Sequence, residues 1–160
     1  MKAHAILVAA GLLGLTVCTS VQAETAASSV TVSDAYARAV PPGQPNSASF
    51  MTLHNNSAAD HALLGAGSAA AEAVELHTHS MKDGMMQMRR VEKIDIPAGA
   101  ETRLQPGGLH VMLIGLKQPL HPGEAVSLSL QFDDGSTLDV SAPVRKLQMK
   151  MMKHDGMMKH

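Results

Sequence analysis

The chain of 160 residues has one cysteine (Cys18), no tryptophan, one tyrosine and two phenylalanines. A lone thiol cannot staple a domain, so the fold has to rest on a hydrophobic core, and the length suits one such core with extensions. Aromatics make up 2% of the residues, which leaves little for stacking on bases or sugars. Charge is also sparse and balanced, with a formal net charge of −1, and implies neither nucleic acid nor an anionic membrane as partner. The one long apolar run, from Ala5 to Val17, is too short to span a bilayer. It follows Lys2 and ends in Val21-Gln22-Ala23, the small-residue pattern of a cleaved secretory signal. Residues 1–23 are therefore read as a signal peptide, with cleavage after Ala23 leaving Glu24 first and no cysteine at all. Lipidation of Cys18 is the weaker reading, because Val17 stands where lipoprotein signals resemble one another in carrying Gly or Ala. No stable membrane anchor is expected.

Residues 24–29, "ETAASS", read as a short disordered leader. From Val30 to Val144 short strands alternate with turn clusters. "VTVSDAYARAV", "ASFMTLHN", "HALLGAGS", "AEAVELHTHS", "MMQMRRVEKIDI", "LHVMLIGL", "AVSLSLQF" and "TLDVSAPV" are the candidate strands. "PAGAETRLQPGG" reads as loop with one short extended piece. Strands at this spacing, without a convincing amphipathic helix, predict an all-β antiparallel Greek-key sandwich or small barrel over 30–144. The Cys…Trp…Cys signature of antibody-like domains is missing. Residues 145–160, "RKLQMKMMKHDGMMKH", lack aliphatics beyond Leu147 and read as a mobile Met/His-rich tail.

What the chain has in excess is 12 methionines and 9 histidines. Thioether sulfur is a soft neutral donor and imidazole a borderline one, and the ion that accepts both is Cu(I). Zinc prefers thiolate, imidazole and carboxylate, while calcium and magnesium take oxygen. Methionine has no proton to lose and forms no disulfide, which suits a soft ligand in an oxidising compartment.

Spacing places these donors. In "LHVML", His110 and Met112 lie two apart and share one strand face, with Leu109, Val111 and Leu113 on the other. In "LHTHSMKDGMMQMRR", a two-residue turn at Asp83-Gly84 would pair Lys82 with Met85, Met81 with Met86 and His79 with Met88. His77 then lies diagonal to Met88, and His77, His79, Met81, Met86 and Met88 gather on one face. Met51 and Met85 are read as ordinary apolar fillers, and His54, His61 and His121 as turn-side histidines. Hairpin geometry alone leaves the choice between His77 and His79 open.

His77, Met88, His110 and Met112 form H-x10-M-x21-H-x-M. The pattern resembles the signature of the periplasmic PCuAC family of copper chaperones, and the resemblance runs over 30–144. It implies a cupredoxin-like Greek-key β-fold and a Cu(I) site made by those two histidines and two methionines, with no catalytic residues. It further implies periplasmic location and delivery of copper to the CuA subunit of cytochrome c oxidase, with Sco-type thiol proteins as associated factors. The resemblance selects His77 over His79 and leaves His79 as a secondary candidate. Met81, Met85 and Met86 then shield the metal or dock the acceptor. The tail is similar to a Met/His extension of part of the family. It offers Met149, Met151, Met152, His154, Met157, Met158 and His160 to a second Cu(I) or Cu(II).

The competing functions are weaker. An electron-transfer cupredoxin needs a Cys ligand beside two His, which the mature chain lacks. An enzyme would need an open metal position or a catalytic set such as HExxH, and none is present. Histidine-brace oxygenases use an N-terminal His, where Glu24 is predicted. Periplasmic copper storage or resistance is the alternative to delivery, and a metal-free interaction sandwich is the remaining reading. The expected form is a monomer.

Overall fold

A computed structural model describes residues 24–146. The signal-peptide reading of 1–23 and the tail donors from Met149 to His160 lie outside the described residues. The chain runs α1 (Ala26–Ser29), β1 (Val30–Arg38), β2 (Asn46–Asn55), β3 (His61–Gly67), β4 (Ala71–Lys82) and β5 (Met85–Arg90). It continues with β6 (Ile94–Ile96), β7 (Glu101–Leu104), β8 (His110–Leu116), β9 (Ala125–Phe132) and β10 (Thr137–Arg145).

The strands form two layers. One carries β5-β4-β8-β2-β1, with β7 beside β8 on the same edge of β2. The other carries β10-β9-β3-β6. Period-two alternation sends Val126, Leu128, Leu130 and Phe132 of β9 inward, against Leu53 of β2, Leu76 of β4 and Val111 and Leu113 of β8. Burying each such side chain is worth about 1.5–3 kcal/mol, enough to fix strand register against a one-residue slip.

The all-β architecture agrees with the sequence reading, with four local differences. β1 and β10 run parallel, pairing Ala37 with Val144 and Arg38 with Arg145, so the assembly is mixed. "MMQMRRVEKIDI" is two strands: β5 stays on β4, while β6 crosses to β3 in the other layer, because Ile94 and Ile96 bury there. The leader is not disordered. Thr25 caps α1 in a reciprocal arrangement with Ser28, and the backbone N–H of Ala26 donates to Asp134 Oδ2 at 2.7 Å. Ala27 N–H donates to Ser136 Oγ at 2.9 Å, and Ala26 and Ser29 are buried. Arg145, assigned to the tail from sequence, ends β10 and lies 5.3 Å over the Tyr36 ring.

Candidate metal centre

The thioethers and imidazoles gather on the outer face of the first layer, away from the core. Asp83 and Gly84, both at positive φ, make the tight turn between β4 and β5. The resulting register pairs Lys82 with Met85, Met81 with Met86 and His79 with Met88. On the other edge of β4, His77 lies directly opposite His110 of β8, and Glu75 opposite Met112. β2 contributes Ala48 and Phe50, both buried yet separate from the main core cluster.

Together these surround a cavity of about 120 Å³ lined by His79, Met88, His110 and Met112. Phe50 and Ala48 line it as well, the turn residues Pro106 and Gly107 close one side, and Arg38 stands at the rim. Of the four residues that the family resemblance selects, Met88, His110 and Met112 line this cavity. His77 sits beside it, its ring centroid 5.9 Å from that of His110. His79 is the second imidazole of the lining, stacked 5.1 Å from the His110 ring. A larger cleft of about 630 Å³ along β1 and β10 has neither thioether nor imidazole in its walls.

His110 is the best defined of the group, only 1% exposed. Its Nδ1 lies 2.9 Å from the carbonyl of Gly108. A carbonyl only accepts, so Nδ1 carries the proton and Nε2 keeps its lone pair. That Nε2 is buried with no hydrogen-bond partner. The Gly108 carbonyl also accepts the backbone N–H of His79 at 3.3 Å, which ties the 105–109 turn to the hairpin. Loss of solvation lowers the His110 pKa below 6.5; the Gly108 bond opposes this, and the neighbouring His79 and His77 add to it. The ring is therefore held neutral, the form that can ligate a metal.

His77 has the complementary arrangement. Its Nε2 is 2.8 Å from Glu75 Oε2, and its Nδ1 is buried and unpartnered. The Glu75 carboxyl is held below its ordinary range first by this hydrogen bond and then by the Arg90 guanidinium 3.4 Å away. His79 also has a buried, unpartnered Nδ1. Among the described residues, no three His, Cys, Asp or Glu side chains converge as a metal-binding group. A metal held here has to recruit thioether sulfur.

Among the described residues, the other histidines stay apart from the cavity. His61 faces Asp133 at 3.5 Å, and the backbone N–H of His121 donates to Glu124. His54, at the far end of β2 opposite Thr31 and Glu101, has a buried Nδ1 of its own. Met51 is a core side chain as read, at 2% exposure, whereas Met85, read as a filler, is 63% exposed beside the hairpin turn. Met81 and Met86 are similarly exposed. Sequence reasoning passed over Glu75, Phe50, Arg38 and Gly108. Strand alternation carried the signal for Glu75, two residues before His77 on the same face.

The LpqE-like family model, a lipoprotein family, matches residues 30–144. Lxx21020 of Leifsonia xyli subsp. xyli, named as a lipoprotein, is 40% identical over 149 residues, covering 89% of each chain. Among solved structures, the copper-bound PCuAC domain of PmoF2 superposes with a TM-score of 0.65 over 79% of this chain and all of that one, at 22% identity. The chain belongs to the LpqE-like family and has the fold of a PCuAC domain. This LpqE-like chain is also similar to DR1885 of Deinococcus radiodurans. The Cu(I) form of DR1885 is 41% identical, with a TM-score of 0.59 over 75% of this chain and 82% of that one. Its apo form is 37% identical, with the same TM-score over 92% and 95%. The cupredoxin-like β-sandwich expected from the sequence is the fold observed.

Proposed function

We propose that this PCuAC protein is an exported copper carrier that holds Cu(I) with His77, Met88, His110 and Met112 and surrenders it to a protein acceptor. The observation that carries the reading is the cavity on the outer sheet face. Two thioethers line it beside a buried, neutral imidazole whose bare Nε2 has no other partner. Soft neutral sulfur with imidazole is the donor set of Cu(I). The Cu(I) form of DR1885, 41% identical, supports the same ion. His79 is the reserve donor, adjacent in the same cavity. Four protein donors leave no open coordination position, which fits a carrier better than a catalyst.

Two neutral thioethers bind copper without thiolate charge, so a thiolate acceptor can draw the ion away. The CuA subunit of cytochrome c oxidase and Sco-type thiol proteins have that chemistry. Exposed Met81 and Met86, on the same face of the hairpin as His79 and Met88, supply an apolar, sulfur-rich surface for such an acceptor. Lipoprotein names among the relatives support export to the periplasm and give Cys18 lipidation fresh weight against cleavage after Ala23. The intact mass of the mature protein separates these two N-termini. Anaerobic titration of residues 24–160 with Cu(I), against a chromophoric Cu(I) chelator, tests the carrier. The protein should take one copper tightly and yield it to an apo CuA fragment. If the chelator keeps all the copper, the reading fails. If copper is bound but never transferred, storage replaces delivery.

A further inference from the structure

We infer that Glu75 is a positioning residue that sets which nitrogen of His77 is free for copper. The ion is then held through Nδ1 of His77 and Nε2 of His110. This deepens the copper-carrier reading and rests on it. A carboxylate can only accept, so the 2.8 Å contact from His77 Nε2 to Glu75 Oε2 puts the imidazole proton on Nε2. A neutral ring carries one such proton, which leaves the lone pair on Nδ1. That Nδ1 is buried and has no hydrogen-bond partner. A buried acceptor without a partner costs free energy unless something else occupies it. Across the strand pair, His110 does the reverse, giving its Nδ1 proton to the Gly108 carbonyl and leaving Nε2 bare.

Glu75 is itself oriented. Its other oxygen, Oε1, meets Arg90 Nη1 at 3.4 Å, and Arg90 lies directly across from His77 on β5. Arg90 is 69% exposed, so this ion pair adds little stability of its own. Its effect is to turn the carboxylate so that Oε2 points along the strand to His77. A carboxylate behind a ligating imidazole fixes ring orientation and raises the basicity of the free nitrogen.

Cu(I) has a filled d shell and is diamagnetic, so nitrogen NMR can follow each ring. In the copper-free protein the ¹⁵N spectrum should show His77 protonated at Nε2 and His110 at Nδ1. On adding one equivalent of Cu(I), the His77 Nδ1 and His110 Nε2 resonances should move. Glu75→Gln keeps the volume but can no longer serve as a pure acceptor. It should weaken Cu(I) binding about 10–100-fold while leaving the backbone spectrum folded. In a His77→Ala background, Glu75→Gln should cost nothing further, which a general structural role would not produce. The inference is overturned if copper moves His77 Nε2 further than Nδ1 or leaves His77 unmoved. It is also overturned if Glu75→Gln binds as tightly as the parent, or loses the same factor without His77. A parent protein that binds no Cu(I) overturns the carrier reading and this one together.

Discussion

Met112 separates chemistry from packing at a single residue. It lines the cavity from β8, two positions beyond His110 and opposite Glu75. Leucine has nearly the same apolar volume, and such swaps usually cost less than about 1.5 kcal/mol. Met112→Leu should therefore keep the thermal midpoint close to that of the parent. It should nevertheless lose Cu(I) affinity by at least the roughly tenfold that even an outer partner of a metal ligand carries. His110→Ala should do both kinds of damage. It removes a donor, and it leaves the Gly108 carbonyl with only the His79 backbone N–H, at a cost on the order of 1 kcal/mol. Chelator competition and thermal melts on the same samples check both variants. A Met112→Leu protein that binds copper as the parent does would remove Met112 from the site.

At the scale of elements, the β4–β5 hairpin and the α1 turn make opposite cases. Gly84 has φ +76 and open space around it, so a methyl group there meets only the backbone penalty of the left-handed region. Gly84→Ala should cost about 1–2 kcal/mol, felt mainly as faster amide exchange in β5, the edge strand that carries Met88. Equal exchange in parent and variant would show that the turn does not hold the hairpin. The register of this hairpin was legible in the sequence because Asp-Gly permits one tight turn and every later pairing follows by counting. The α1 turn was not legible. "ETAASS" has no apolar period, and its order comes from Asp134, far along the chain in the β9–β10 turn. Ser136 first, then the Ala26 N–H, lower the Asp134 pKa from 3.8 to about 2. A carboxyl whose folded pKa is depressed stabilises the fold above its unfolded value and loses that contribution as pH falls through the folded one. Docking of α1 should accordingly weaken between pH 4 and pH 2, read as faster exchange of the Ala26 amide. Asp134→Asn should abolish that pH dependence, and a slope unchanged in Asp134→Asn would contradict this anchor. Long-range pairings such as β1 with β10 were hidden for the same reason: no local pattern encodes them.

For the whole molecule, the question is how the Met/His tail relates to the cavity. The last described strand ends near it. Three steps of 5.3, 5.2 and 6.2 Å lead from the Arg145 guanidinium through the rings of Tyr36 and Phe50 to His110. Residues 147–160 have an extended length of roughly 46 Å, so their donors can reach the core site. Tethering sets a local concentration on the order of millimolar when the span permits. Five methionines among the last twelve residues are many for a segment without aliphatic neighbours to pack on, which favours a ligand role. Lys146, Lys150, Lys153 and Lys159 repel a cation and make that second site looser than the first. A truncation has to begin at Leu147, because the Arg145 carbonyl accepts the Ala39 N–H at 2.8 Å and its guanidinium covers Tyr36. Removing 147–160 should leave the sandwich and its tight Cu(I) site intact, lower the total copper bound, and slow exchange with an acceptor. Cutting from Arg145 should in addition destabilise the β1–β10 seam. Equilibrium dialysis and stopped-flow transfer measure these effects, and equal copper capacity with and without 147–160 would leave the tail no part in metal binding.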